Sequence, residues 1–268
     1  MTVLAGRNVL ITGAASGIGR LMALKFARER CSLILVDIDR KLLDETEREL
    51  LGMRARVESH VCDISDRRSV ERMAQTIRRQ SDPVDILVNN AGIVTGKSFL
   101  DLSFDELKRT MDVNFLGMAL LTGIFLPGMV ERNSGHIVNI ASSAGLIGIP
   151  RMSDYCASKF AAVGFSESLR LELLKFGHTG VRVSCVCPYL IDTGMFRGFR
   201  PFVFNSPLEP GRVADTIIAA IKKNRPMVMM PFSVRLIKYA KMLPVRLHDR
   251  LVLAMGAGRA MDSFIGKR

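Results

Sequence analysis

Tyr155 and Lys159, in the run Ser153-Asp154-Tyr155-Cys156-Ala157-Ser158-Lys159, set a phenol and an ammonium group four residues apart. On a helix that spacing puts both on one face. A free phenol, with a pKa of about 10, is a poor acid or base at neutrality. An ammonium about 4 Å away in an effective dielectric of about 20 favours the phenolate by about 4 kcal/mol before desolvation. The pair therefore suits proton transfer, with the phenol brought toward pH 7. Such pairs also arise on ordinary helices, so the elements around this one decide its meaning.

Arg7 to Thr12 reads as a short buried strand centred on Val9-Leu10-Ile11. It runs into Thr12-Gly13-Ala14-Ala15-Ser16-Gly17-Ile18-Gly19, and an amphipathic helix follows to about Glu29. Glycines between a strand and a helix let the backbone turn tightly and approach a pyrophosphate, whose charge the helix start favours. The spacing differs from the G-x-G-x-x-G of other dinucleotide folds. Asp37, eighteen residues beyond Gly19, ends the apolar run Ser32 to Val36. A carboxylate there can accept hydrogen bonds from an adenosine ribose and would repel a 2′-phosphate. Asp39 is better placed than Asp37 to cap the next helix. Ser16, which is not basic, also favours NAD over NADP, while Arg40 and Lys41 argue the other way.

Together these motifs resemble the short-chain dehydrogenase/reductase family from Arg7 to about Val228. The resemblance implies a cofactor loop of Gly13, Ser16, Gly17, Ile18 and Gly19, an adenine contact at Asp63 and Ile64, and a fourth-strand signature Asn89-Asn90-Ala91-Gly92. It also implies a catalytic tetrad of Asn114, Ser142, Tyr155 and Lys159. By that resemblance Tyr155 exchanges the proton, Lys159 binds the nicotinamide ribose, Ser142 polarises the substrate oxygen and Asn114 holds a water. The competing readings are a helix cap for Asp63, a strand-end hydroxyl for Ser142 and a buried amide on a backbone carbonyl for Asn114. Asn89 is expected to brace the sheet, and Asn90 to lie nearer the cofactor. Pro188, Ile191 and Thr193 would meet the nicotinamide end. There the chain departs from the family, because Tyr189 follows Pro188 where a glycine is usual; either the site tolerates a larger side chain or the backbone shifts.

Short apolar runs at 9–11, 33–36, 57–61, 85–88, 136–140, 181–187 and 227–229 alternate with helical segments. That rhythm predicts an α/β chain, a single-domain Rossmann fold with a doubly wound parallel sheet of about seven strands. The catalytic domain should span 1–230, with a lid at about 189–212 and a basic amphipathic extension over 231–268. The uncharged stretch Phe115 to Val130 is shorter than the roughly 20 residues that span a bilayer and reads as a buried helix. In the family that helix often packs on its copy, so a homodimer or homotetramer is expected. Met1 to Asn8 leads straight into the first strand, which suggests a cytoplasmic protein without an amino-terminal anchor. Five cysteines form no metal spacing, so no metal is expected. Cys185 and Cys187 are expected to turn their thiols to opposite faces of a strand.

The net charge is +12, and from Lys222 onward eleven basic residues face two acids, so +9 of that excess lies in the tail. Bases interleaved with Met229-Met230, Phe232, Leu236-Ile237 and Leu251-Val252-Leu253 suggest an amphipathic surface helix in peripheral contact with anionic lipid. No motif supports nucleic acid as partner. By the resemblance the segment between Tyr189 and Glu209 is the lid over the substrate, and its Phe196, Phe199, Phe202 and Phe204 suggest an apolar ligand. The wording of Tyr155 to Phe165 and the tail are similar to the membrane-associated retinol and hydroxysteroid dehydrogenases of the family. The resulting expectation is hydride transfer between NAD and a lipophilic small-molecule alcohol of retinoid, steroid or fatty type. The alternatives are an NADPH-dependent carbonyl reductase and a non-enzymatic lipid-surface scaffold.

Overall fold

β-Branched and leucine-rich runs, bounded by polar turns, become seven parallel strands: β1 (Asn8–Thr12), β2 (Ser32–Asp37), β3 (Val57–Val61), β4 (Ile86–Asn89), β5 (Gly135–Ile140), β6 (Val181–Pro188) and β7 (Met227–Met230). The computed structural model describes residues 2–202 and 206–266, so Phe204 of the lid lies outside the described residues. The strands form one sheet in the order β3-β2-β1-β4-β5-β6-β7. Chain growth reverses at β1, which pairs with both β2 and β4. A reversal of this kind opens a crevice at the carboxyl ends of the two strands, where open α/β sheets bind ligands.

Side-chain alternation along each strand explains why both faces are covered. Val9 and Ile11 point to a core shared with helices α1 (Gly17–Arg28), α2 (Arg40–Gly52) and α7 (Pro210–Lys222) through Met22, Phe26, Leu43 and Ile217. Leu10 points to the other face, where α3 (Arg67–Gln80), α5 (Gly117–Glu131) and α6 (Ser153–Lys175) contribute Ile77, Leu121, Phe125 and Leu169. Full burial of each such side chain contributes about 1.5–3 kcal/mol. Asp39 caps α2 through the Leu42 amide and Asp66 caps α3 through the amides of Arg68 and Ser69, which leaves Asp37 and Asp63 for other partners.

The helix that carries Asn114 is less regular than its sequence suggests. α4 (Phe104–Met111) runs through a π-helical turn, Asp112–Leu116, into α5. The continuous helix from Phe104 to Glu131 is long and apolar enough to cross a membrane by length and composition. It nevertheless buries Leu121, Phe125 and Met129 against the sheet. Another expectation fails outright. Residues two apart in a strand share a face, so the thiols of Cys185 and Cys187 lie together at 3.8 Å rather than on opposite faces.

Beyond β7 the chain forms a 3-10 turn (Phe232–Leu236), α8 (Ile237–Ala240), α9 (Val245–Ala254) and a 3-10 turn (Ala257–Arg259). Pro244 separates α8 from α9, so the tail is several short helices and not one.

Candidate active site

The crevice is a cavity of about 330 Å³ between the ends of β1, β4, β5 and β6. Its walls include Gly13, Ser16, Gly17, Ile18, Asp37, Asp63, Ile64, Asn90, Ala91 and Gly92 along one half, and Ser142, Tyr155, Lys159, Pro188, Ile191 and Thr193 along the other. Of the residues singled out from sequence, Gly19 and Asn114 stand behind this surface.

Glycine is needed in the first loop because other backbone fills the space a side chain would take. A Cβ on Gly13, at φ 64°, would lie 2.9 Å from the Ala91 Cα, and one on Gly19 would lie 2.0 Å from the Gly13 carbonyl oxygen. Asn90 closes the seam between β1 and β4, its Nδ2 donating to the carbonyls of Thr12 (2.9 Å) and Gly13 (3.1 Å). The Thr12 hydroxyl accepts from the amides of Asn90 and Ala91. Asp37 ties in from β2, where its Oδ2 accepts the Ala15 amide at 2.9 Å. Asn89 braces the sheet interior, donating to Thr122 and, at 2.8 Å, to Asn139. The loop, the α1 amino end and Asp37 are thus one hydrogen-bonded unit shaped like a pyrophosphate and ribose cradle.

At the far end, α6 presents Tyr155 and Lys159, 5% and 4% exposed. The Lys159 Nζ donates to the Ile140 carbonyl at 2.9 Å and sits 5.6 Å from the centroid of the Tyr155 ring. Burial pulls the lysine down to about 8. Burial also pushes the tyrosine above its ordinary value, offset in part by a hydrogen bond with Ser142. The expected lowering of the phenol by the ammonium is therefore not seen, desolvation being the largest effect on Tyr155 and the Ser142 hydrogen bond the one that opposes it. Asn114 lies in the π-helical turn, a feature frequent at functional sites. Its Oδ1 accepts the Ile93 amide at 2.8 Å, and its Nδ2 donates to the Ile93 carbonyl and to Ser158. A Cβ on Gly92 would fall 3.2 Å from Asn114 Oδ1 and 3.5 Å from Lys159 Nζ, so that glycine leaves room beside both polar groups.

Several neighbours were invisible in the sequence. Arg109 reaches into the cavity and pairs with Asp63 at 3.0 Å. Burial alone would raise the Asp63 carboxyl, but hydrogen bonds from Ser65, then Arg109, hold it below the usual range. Asp154, beside Tyr155 and 1% exposed, accepts from Thr95 (2.7 Å) and Thr110 (2.8 Å), joining α6 to α4. Tyr189 turns toward the segment that follows it, its ring against Phe199 and Phe202 and its hydroxyl accepting the Phe202 amide at 2.7 Å. This is how the chain houses a large side chain where a glycine is usual. Phe196 meets the Tyr155 ring edge to face, centroids 5.5 Å apart. Among the described residues no group of His, Cys, Asp and Glu is arranged to hold a metal ion.

A doubly wound sheet with a Gly-rich cradle at its switch point and a buried Tyr-Lys pair at the far end defines a nicotinamide-dependent oxidoreductase of the Rossmann class. The sequence model for short chain dehydrogenase matches residues 7–202, and the chain belongs to that family. Epidermal retinol dehydrogenase 2 of Mus musculus is 42% identical over 98% of this chain and 87% of its own length. A short chain dehydrogenase/reductase from Burkholderia phymatum, solved in complex with NAD, superposes with a TM-score of 0.82 at 28% identity, over 96% of this chain and 98% of that one. A metagenomic short-chain oxidoreductase in complex with NADP gives a TM-score of 0.72 at 30% identity, over 85% and 98% of the two chains. The chain is an oxidoreductase acting on CH–OH groups and falls in the retinol dehydrogenase branch of its family.

Proposed function

We propose that this protein moves a hydride between NAD and a lipophilic alcohol or its carbonyl product, with Tyr155, Lys159, Ser142 and Asn114 as its chemical machinery. The observation that carries this reading is a single cleft with a carboxylate, Asp37, at its ribose end and Tyr155 at its other end, beside an apolar cluster of Ile149, Met152 and Phe196. Within the expected retinoid, steroid or fatty alcohol class, the retinol dehydrogenase relative supports a retinoid.

When bound, the nicotinamide takes up or releases the hydride. Gly13, Gly17 and the α1 amides would hold its pyrophosphate, Asp37 its adenosine ribose, and Lys159 its second ribose. Asp63, already engaged by Ser65 and Arg109, would present Ile64 and its own main chain to the adenine. Pro188, Ile191 and Thr193 would bound the ring. In oxidation Tyr155 takes the alcohol proton while Ser142 donates to the same oxygen. The free phenol, pushed up by burial, is ready as an acid for reduction; its use as a base calls for the Lys159 ammonium to swing from Ile140 toward the ring. Asn114 holds the loop after β4 in register with α6.

A panel of retinoids, steroids and fatty alcohols, assayed with NAD and with NADP, tests the reading. Turnover with NAD on at least one apolar class supports it, and exclusive use of NADPH on small carbonyls would replace it with a carbonyl reductase. Two associations belong to the same proposal: a homodimer or homotetramer through α5, with Leu116 just before it 52% exposed, and peripheral membrane contact through the tail. Arg235, Lys238 and Lys241 there stand among exposed Phe232, Leu236, Tyr239 and Met242.

A further inference from the structure

Asp154, beside Tyr155 in the first turn of α6, is 1% exposed and carries a charge that the chemistry above leaves unused. Taking a carboxylate out of water costs several kcal/mol unless close partners offset it. An acid in the first turn of a helix is ordinarily favoured by the helix dipole while it faces solvent. Here the carboxylate turns instead to two other elements. Its Oδ2 accepts the hydroxyl of Thr95, in the loop after β4, at 2.7 Å, and that of Thr110, on α4, at 2.8 Å. Its Oδ1 is buried without a hydrogen-bond partner among the described residues. A half-satisfied buried charge breaks a rule that most of a fold obeys, and such breaks gather at functional sites.

Four residues on, Ser158 occupies the same face of α6. It is fully buried; its hydroxyl accepts from Asn114 at 3.0 Å and donates to the Tyr155 carbonyl at 2.7 Å. Asn114 in turn holds both the amide and the carbonyl of Ile93. The loop after β4 is therefore fixed to α6 at two points: Ile93 through Asn114 and Ser158, and Thr95 through Asp154. Tyr155 and Lys159 repeat the four-residue step one position further on, so they form the adjacent face of the helix, the one that lines the cavity. One face anchors α6 and the next one works. Any rotation of the helix about its axis would carry the phenol and the ammonium away together, and a misplacement of about 1 Å at a reacting group can cost about a hundredfold in rate.

We propose that Asp154 is a positioning residue that, together with Ser158, fixes the rotation of α6 and so the place of the Tyr155 hydroxyl over the substrate oxygen. This role rests on the reading of Tyr155 as the proton-transfer group. Without the carboxylate, Thr95 and Thr110 lose their common tie to α6. A neutral amide in its place keeps an oxygen that both hydroxyls can reach.

The test is single-turnover oxidation of retinol, or of the fastest alcohol in the panel above, with NAD, measured beside NADH affinity. The proteins are wild type, Asp154→Ala, Asp154→Asn, Tyr155→Phe and the double variant of Asp154→Ala with Tyr155→Phe. Asp154→Ala should lower the rate about a hundredfold while NADH affinity stays within about threefold of wild type. Asp154→Asn should bring the rate back to within about fivefold of wild type. In the Tyr155→Phe background Asp154→Ala should cost less than about threefold, since a residue that acts through the phenol then has nothing to position. If Asp154→Ala does not fold, Thr95→Val replaces it in both backgrounds and should lower the rate about tenfold where the phenol is present, the Thr110 tie remaining. A rate within about threefold of wild type, or the same factor lost with and without the phenol, overturns the positioning role. A Tyr155→Phe protein that keeps about a tenth or more of the wild-type rate overturns the reading of Tyr155 instead, and the role of Asp154 falls with it.

Discussion

The Lys159 ammonium donates to the Ile140 carbonyl at 2.9 Å while standing 5.6 Å from the Tyr155 ring centroid, so in the free protein it is anchored beside the phenol and not at it. Its pKa, lowered to about 8 by burial, has a consequence for cofactor affinity. If the charged form holds the ribose, NADH binding is strongest below about 8 and weakens as pH rises through that value. Fluorescence titration of NADH across this range should show the decline. Lys159→Ala should bind weakly at every pH, and a flat wild-type profile would remove Lys159 from the ribose.

Asp37 accepts the Ala15 amide, so it both shapes the Gly-rich loop and carries the charge that meets the ribose. The wild type should prefer NAD over NADP by at least about tenfold in kcat/KM, or about 1.4 kcal/mol. Asp37→Ser should lose activity with NAD through the slackened loop and gain relative activity with NADP. Arg40 is drawn toward Asp44 at 3.6 Å, an exposed contact weak enough to yield to a phosphate. Equal use of both cofactors by the wild type would refute the assignment.

His136 in β5 is 1% exposed, and burial, then the charge of Arg182, lowers it to about 4. Its Nε2 lies 2.8 Å from the Ser184 hydroxyl. Because the unfolded imidazole binds its proton near pH 6.5, the unfolded state holds more protons between about 6.5 and 4. Stability should therefore fall on acidification through that window, by on the order of 3 kcal/mol. Urea unfolding at stepped pH checks this, and His136→Gln should flatten the slope.

The fold was legible because parallel, doubly covered strands read as short apolar runs, and all seven lie where those runs fall. The glycine loop was legible for a similar local reason: Gly13, Gly17 and Gly19 lie close together in sequence between β1 and α1, and Asp37 ends the adjacent strand. Contacts between residues far apart in sequence were not. Arg109 meets Asp63 and Phe264 meets Gly96 only after the chain closes. The state of Tyr155 was misread for a physical reason, since spacing reports a neighbouring charge but not the burial that opposes it. The π-helical turn under Asn114 has no periodic signature, and the place of Tyr189 showed only through its contact with the Phe202 amide.

The tail should bind anionic membrane reversibly. Each base near such a surface contributes on the order of 1 kcal/mol, so Arg235, Lys238 and Lys241 act together. Co-sedimentation with vesicles containing phosphatidylserine should exceed that with neutral vesicles and weaken as salt rises. Charge reversal of these three residues to Glu should abolish it. Binding indifferent to salt and lipid charge would point to plain hydrophobic insertion.

Tyr155→Phe tests the central claim most directly, because the ring and its contact with Phe196 remain while the proton is gone. Single-turnover oxidation of the best alcohol and NADH binding should be measured on the same preparation. The account predicts a loss of at least about a thousandfold in rate, consistent with removal of a general acid-base group, with NADH affinity within about twofold of wild type. Retention of a tenth or more of the wild-type rate would contradict it.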